Sequence, residues 1–117
     1  MLDLRASWTP RQAEFDAFAR VSGDDNAIHT DPAFAARTGF GRTVSHGMLI
    51  YARLWALLRT ARPEARQSRQ ALMFPNPAYA DEPLELSVTE TAPGVLMLRA
   101  VRAADGAEVL VGEAGLT

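Results

Sequence analysis

Hydrophobic and polar residues alternate through the last third of the chain. Leu84, Leu86 and Val88 are separated by single polar residues, which predicts a strand with one buried face. Two more strands are predicted after it, joined by a turn that contains Asp105-Gly106, a dipeptide typical of β-hairpins. The predicted strands cover residues 2–8, 70–74, 84–89, 95–102 and 108–116.

Apolar residues spaced three and four apart predict helices in the first half. Phe15, Phe18 and Ala19 occupy positions i, i+3 and i+4 of a first helix. A second helix is predicted over residues 32–38, after Asp31 as its cap. The residues that mark the ends of these helices are Thr9 as N-cap, Pro10 at the first position, Gln12 in a capping box, and Gly23 and Gly39 at the two C-termini.

The segment from Gly47 to about Arg59 is apolar on nearly every side. A helix of that kind is surrounded by protein rather than half exposed. One strand, then helices, then a run of strands indicates the α+β class. We therefore expect a single domain over residues 1–117, with the hot-dog fold, in which an antiparallel sheet wraps around this central apolar helix.

Composition narrows the classes of function. A net charge of −2 offers no basic surface for nucleic acid. The absence of cysteine excludes disulfides and thiolate metal sites, and the absence of lysine excludes Schiff-base chemistry. No apolar run reaches the ~18 residues of a membrane span, and the first residues do not form a signal peptide. We therefore expect a cytoplasmic protein that does not contact a membrane.

Acid–base residues are concentrated shortly before the apolar helix. Asp24 and His29 lie close in sequence, and His46 directly precedes Gly47. A carboxylate and an imidazole held together can transfer protons, and a glycine in a first helical turn can offer its backbone N–H to a developing negative charge. The structural interpretations are that Asp24 is a turn carboxylate, His29 a hydrogen-bonded structural histidine, and His46 a side chain that fixes its own loop. For His46 we favour the structural role.

Two segments resemble one enzyme family. Residues 22–32 (Ser-Gly-Asp-Asp-Asn-Ala-Ile-His-Thr-Asp-Pro) and 40–49 (Phe-Gly-Arg-Thr-Val-Ser-His-Gly-Met-Leu) resemble the MaoC-like dehydratases and (R)-specific enoyl-CoA hydratases. Asp24 and His29 match the family's hydratase-2 pattern of Asp, four residues and His. Residues 72–84 resemble the strand and turn that follow in the family, so that the resemblance covers most of the chain.

The resemblance implies a hot-dog homodimer that hydrates a 2-enoyl thioester, or dehydrates a 3-hydroxyacyl thioester in reverse. Asp24 and His29 would be the catalytic pair, holding one water between them. The backbone N–H of Gly47 would stabilise the enolate-like oxygen, and Asn26 would support the catalytic loop. The acyl group would be carried by coenzyme A or by an acyl-carrier protein, in fatty acid metabolism, and no cofactor would be required.

The chain departs from the family pattern at two positions. Ala27 stands where the family usually has proline, and Thr43 where proline is common shortly before the His-Gly pair. The first change leaves the catalytic loop less restrained in φ. Neither change removes a reacting group.

Two other clusters of polar residues have less specific patterns. Arg59, Arg62, Arg66 and Arg69 follow the apolar helix, and they either meet the phosphates of coenzyme A or form a solvated surface. The aspartates and histidines between residues 24 and 46 do not follow the ligand pattern of a zinc site, so we expect no metal.

Two alternatives to a hydratase stay open at this point. A hot-dog domain also serves as an acyl thioesterase, because a fold does not fix a function. A non-catalytic chain, acting as a binding subunit or as the partner in a heteromeric hydratase, is the other alternative. The presence of Asp24, His29 and Gly47 favours an active hydratase over both.

Overall fold

One antiparallel sheet and four helices make up the structure, a computed structural model that describes all 117 residues. None of the helices combines the length and the apolar character needed to cross a membrane. The elements are β1 (Asp3–Trp8), α1 (Gln12–Ser22), α2 (Ala27–Thr30), α3 (Pro32–Ala36), α4 (Gly47–Ala61), β2 (Gln67–Met73), β3 (Leu84–Ala92), β4 (Val95–Arg102) and β5 (Glu108–Leu116).

The five strands lie in the order β1-β3-β4-β5-β2, and every neighbouring pair is antiparallel. All five predicted strands are present, and β4 and β5 have the predicted bounds. The prediction for β2 was wrong at both ends, since it runs from Gln67 to Met73 rather than over residues 70–74. Pairing of Gln67 with Leu116 on β5 extends it beyond its own apolar residues, a contact that no local pattern reveals.

Helix α4 packs on one face of the sheet, against β1, β3 and β5. Its buried residues are Leu49, Ile50, Tyr51, Leu54 and Leu58. Leu86 and Val88 on β3, with Leu96 and Leu98 on β4, supply the alternating inward positions of the same core. Complete burial of one such side chain contributes ~1.5–3 kcal/mol, so this contact between helix and sheet makes a large contribution to the stability of the fold.

The expectation that protein surrounds α4 on all sides does not hold within one chain. Met48, Ala52, Arg53 and Ala56 are exposed along the side of the helix that faces away from the sheet. Arg53 covers part of this side by placing its guanidinium 5.0 Å from the ring centre of Trp8. A five-stranded sheet encloses only one side of a helix, which leaves an exposed strip along α4.

The N-terminus of α1 differs from the prediction. The N-cap is Arg11 rather than Thr9, and Glu14 accepts a hydrogen bond from the backbone N–H of Arg11 at 3.1 Å. Glu14 also accepts from the indole N–H of Trp8 at 3.2 Å, which ties the helix start to the end of β1. The C-terminus is as predicted, because Gly23 adopts the left-handed conformation at φ 80°.

Helix α3 starts as predicted and ends early. The carboxylate of Asp31 accepts from the backbone N–H of Phe34 at 3.1 Å, and Pro32 occupies the first turn. The helix stops at Ala36, two residues before the predicted end, because the hydroxyl of Thr38 bonds back to the carbonyl of Ala35 at 2.7 Å in a closing turn.

Candidate active site

Asp24 and His29 are placed by two helix ends. Asp24 directly follows Gly23, where α1 stops. His29 lies on α2, a short helix that the sequence analysis treated as a loop. Asn26 is the N-cap of α2, and its side chain accepts from the backbone N–H of Ile28 at 3.1 Å. Ala27 is the first residue of α2, a position that suits proline and that alanine also occupies without breaking the helix.

The side chains of Asp24 and His29 approach each other without a direct hydrogen bond. His29 Nε2 lies 3.7 Å from Asp24 Oδ2, beyond normal hydrogen-bond distance. His29 Nδ1 lies 2.7 Å from the carbonyl oxygen of Val44, so Nδ1 carries the proton and donates it there. In the tautomer that carries its proton on Nδ1, Nε2 is an acceptor that faces the carboxylate, and a water touching both groups can donate to each.

Hydrogen bonds that involve Gln12 and Thr43 hold α2 in place. The amide of Gln12 donates to the carbonyl of His29 at 2.8 Å, and its oxygen accepts from the Thr43 hydroxyl at 2.6 Å. The backbone N–H of Val44 donates to the carbonyl of Ile28 at 3.1 Å. Gln12 is thus a support for the site rather than a capping residue. No local pattern indicates this, because its partners His29 and Thr43 are distant along the chain. The family commonly has proline at the position of Thr43. In this chain the Thr43 hydroxyl takes part in the same hydrogen-bond network.

His46 touches both members of the pair. Its Nε2 donates to the backbone carbonyl of Asp24 at 2.8 Å, and its ring stacks on the His29 ring with centroids 3.8 Å apart. Phe15 and Phe18 enclose the other sides of the ring, at centroid distances of 6.5 and 4.9 Å. Nδ1 of His46 is buried without a partner. Burial lowers the pKa of His46 below its ordinary value of 6.5, and the nearby His29 lowers it further.

Gly47 begins α4 beside these groups. The first N–H groups of a helix have no partner within it, and the helix dipole adds partial positive charge there. Gly47 lines the same cavity of about 440 Å³ as Asp24 and His29. Apolar side chains form most of the remaining wall, among them Ile28, Phe40, Met48, Ile50, Phe74 and Val109. The cavity therefore brings a carboxylate, an imidazole and the first residue of a helix together beside an apolar compartment.

The predicted arginine cluster lies away from this cavity. Gly47 opens α4, whereas Arg59 is near its other end, about 18 Å away along a helix that rises 1.5 Å per residue. Arg62 pairs with Glu90 at 3.8 Å and Arg69 with Glu113 at 3.3 Å. None of the four arginines, Arg66 included, lines the cavity. Their role in binding coenzyme A stays a prediction that the geometry of one chain does not support.

Asp24, His29 and His46 bring three possible metal ligands within 4.8 Å of one another. Their geometry does not suit an ion. The two imidazoles are stacked at an interplanar angle of 25°, so that their lone pairs run side by side instead of converging.

A family model described as the MaoC-like domain matches residues 2–108. The chain belongs to the MaoC-like domain family. This confirms the resemblance found in the sequence. The solved structure of the (R)-hydratase of A. caviae, described as involved in PHA biosynthesis, superimposes on this MaoC-like chain with a TM-score of 0.87. That pair is 33% identical and covers 99% of this chain and 93% of the other.

A second structure agrees with the first. An unliganded R-hydratase of Pseudomonas aeruginosa has a TM-score of 0.87 at 30% identity, covering 98% of this chain and 78% of that one. These similarities confirm the predicted α+β hot-dog fold for the MaoC-like chain.

Among curated proteins, the (R)-specific enoyl-CoA hydratase of Aeromonas caviae is 39% identical over 82 residues, which is 68% of this chain. The match spans 61% of that protein's length. A mitochondrial 3-hydroxyacyl-(acyl-carrier-protein) dehydratase of Arabidopsis thaliana is 36% identical over 71% of this chain and 51% of its own length. The MaoC-like chain thus spans between half and two thirds of the length of these relatives.

Proposed function

We propose that this MaoC-like protein is a hydro-lyase that adds water to a 2-enoyl thioester to give the (R)-3-hydroxyacyl thioester, or catalyses the reverse dehydration. The observation that carries the proposal is the approach of His29 Nε2 to Asp24 Oδ2 at 3.7 Å, in the cavity that Gly47 also lines. The names of relatives at 39% and 36% identity, an (R)-specific enoyl-CoA hydratase and a 3-hydroxyacyl dehydratase, support the same reaction.

Asp24 and His29 act on a single water in this proposal. The water oxygen bonds to C3 of the substrate as the C2–C3 double bond breaks, and the pair accepts one of its protons. A proton held by the pair then bonds to C2, which leaves both side chains in their starting states. Positioned proton transfer of this kind accelerates a reaction ~10²–10⁴-fold.

The backbone N–H of Gly47 binds the thioester oxygen in this proposal. Electron density moves onto that oxygen as water attacks C3, and a fixed N–H at a helix start opposes the developing charge. Loss of one such donor commonly costs ~3 kcal/mol of transition-state stabilisation. The apolar wall beside Gly47 accommodates the acyl chain, and either coenzyme A or an acyl-carrier protein holds its other end.

The cytoplasmic location of the protein stays a prediction.

We also propose that two copies of the chain associate. Large apolar side chains are exposed around the cavity and at the adjoining edge strand β2: Phe40 is 41%, Met48 44%, Met73 65% and Phe74 45% exposed. An exposed group of this kind marks an association surface. Sedimentation equilibrium should give twice the chain mass, and a monomer at micromolar concentration would contradict the homodimer.

The function is tested by the loss of enoyl-thioester absorbance from crotonyl-CoA. We expect the wild-type protein to remove the absorbance and Asp24→Asn to slow this at least ~100-fold. Asp25→Asn is the matched control, because Asp25 is the adjacent exposed carboxylate and does not line the cavity. Full activity in Asp24→Asn, or release of free coenzyme A thiol without hydration, would overturn the proposal.

A further inference from the structure

Gly47 is required by space rather than by backbone conformation. Its φ is not positive, so the backbone would accept any residue. A β-carbon added at Gly47 would, however, lie 2.6–2.8 Å from three ring carbons of Phe74. Real β-carbons essentially never approach other atoms that closely. The Phe74 ring therefore occupies the room that a side chain at position 47 would need.

Phe74 is a cavity-wall residue rather than a core residue. It is 45% exposed, it lines the same cavity as Asp24 and His29, and it follows β2 directly. Pro75 comes next, and a residue before proline is restricted to extended backbone. The strand end and Pro75 together restrict the backbone of Phe74, whose ring lies at the start of α4.

The position of the thioester oxygen indicates which part of the substrate lies near the Phe74 ring. A thioester oxygen bonded to Gly47 N–H lies about 2.9 Å from that nitrogen, which is itself about 1.5 Å from Cα. The Phe74 ring lies on the side of this Cα where a β-carbon would stand. The thioester carbon and C2 are the next atoms of the substrate, and in the proposed binding mode they occupy the part of the cavity that Gly47 and Phe74 line.

We infer that Phe74 is a specificity-determining residue that excludes substituents at C2 of the acyl group. The substrates are then thioesters with an unbranched C2, such as straight-chain 2-enoyl thioesters, whereas 2-methyl-branched ones are rejected. This inference rests on the proposed function, because it uses Gly47 N–H as the donor to the thioester oxygen.

The test compares two saturated thioesters that differ only by a methyl group at C2, butanoyl-CoA and 2-methylbutanoyl-CoA. Their Kd values are measured by calorimetry for the wild-type protein, Phe74→Ala and Phe40→Ala. Phe40 is the matched control, since it lines the same cavity and is 41% exposed, while the three atoms nearest to the missing side chain of Gly47 all belong to Phe74.

We expect the wild-type protein and Phe40→Ala to prefer butanoyl-CoA, and Phe74→Ala to reduce that preference about tenfold, the effect of one methyl group in a fitted pocket. An unchanged preference in Phe74→Ala, an equal change in both variants, no preference in the wild type, or no binding of either thioester would overturn the inference. Neither compound can be hydrated, so the ratio of the two Kd values is measured independently of catalytic activity. Failure of the wild type to hydrate crotonyl-CoA would overturn the proposed function separately.

Discussion

The imidazole of His46 stacks on that of His29, with ring centroids 3.8 Å apart and an interplanar angle of 25°. The same His46 ring donates from Nε2 to the backbone carbonyl of Asp24 at 2.8 Å. One buried side chain thereby fixes the ring plane of His29 and the backbone of Asp24. In a proton-transfer site, small displacements of either group have large effects on rate.

The first prediction separates the two contacts of His46. Phe at this position keeps the stacked ring and loses the donor, whereas Gln keeps a donor and loses the ring. We expect both His46→Phe and His46→Gln to lower kcat for crotonyl-CoA hydration about 10- to 100-fold, because each leaves either Asp24 or His29, the proposed catalytic groups, unrestrained. KM should change little, since His46 acts through Asp24 and His29 and its side chain is buried. The measurement is initial rate against substrate concentration.

Circular dichroism and thermal unfolding of both variants provide the control for folding. A positioning role would be contradicted by folded variants that retain the wild-type kcat. It would also be contradicted by a loss confined to KM.

The second prediction concerns stability in mild acid. The pKa of His46 is lowered from 6.5 in the folded protein, chiefly by burial and also by the nearby His29. Below about pH 6.5 the unfolded chain therefore binds a proton at His46 that the folded chain does not. The contribution of neutral His46 to stability is complete above pH 6.5 and is lost as the pH falls.

Urea unfolding between pH 7.5 and pH 5 measures this contribution. We expect the free energy of unfolding of the wild-type protein to decrease more steeply with falling pH than that of His46→Phe, which cannot take up the proton. Parallel curves for the two proteins would show that His46 does not carry the effect.

A third prediction concerns the contact between Gly47 and Phe74. Gly47→Ala retains the backbone N–H, and its new β-carbon overlaps the Phe74 ring. We expect a loss of ~1 kcal/mol in the free energy of unfolding, the lower end for overpacked sites, because the half-exposed Phe74 ring can move aside. In a Phe74→Ala background the same change should cost at least ~0.5 kcal/mol less, because the overlapping ring is absent.

Gly39→Ala is the matched control for this cycle. Gly39 has neither a positive φ nor any atom within 4 Å of its missing side chain, so the substitution should be close to neutral. If Gly47→Ala lowered the free energy of unfolding equally in the wild-type and Phe74→Ala backgrounds, the Phe74 ring would not be the obstacle to a side chain at position 47.

Local chemistry predicted the parts of the site that depend on neighbouring residues. Gly23 ends α1 in the left-handed conformation, and Asp31 caps α3, as the sequence indicated. Thr9 failed as a cap because Glu14 bonds to both Arg11 and Trp8, and the second contact requires the end of β1 to lie beside the helix. Such a contact has no local sequence pattern.

The supporting contacts of the site depend on tertiary structure. His46 meets Phe15, Phe18, Asp24 and His29, which come from separate parts of the chain. A sequence can identify a histidine as a candidate site residue. The ring on which it stacks and the nitrogen that carries its proton depend on tertiary packing. Phe74 gave no signal for the same reason, because its ring matters only where β2 ends against the start of α4.

The last prediction concerns Glu90, which joins the turn between β3 and β4 to the residue before β1. Its carboxylate accepts from the backbone N–H of Leu2 at 3.0 Å and from that of Gly94 at 3.0 Å. The bond from Gly94 and then the bond from Leu2 lower the pKa of Glu90 below its ordinary value of 4.5, and Arg62 adds to the effect. Stability from this carboxylate is therefore present above pH 4.5 and is lost as the pH falls below it.

Glu90→Gln should lower the midpoint of thermal unfolding at pH 7, because the amide nitrogen cannot accept a hydrogen bond. The difference from the wild-type protein should shrink at pH values below 4.5, where protonation removes the advantage of the carboxylate. Glu85→Gln, an exposed position on the same strand, is the control and should show a smaller difference at pH 7. A Glu90→Gln difference that stays constant from pH 7 to pH 3 would contradict this account, because only an ionised acceptor gives the contribution its pH dependence.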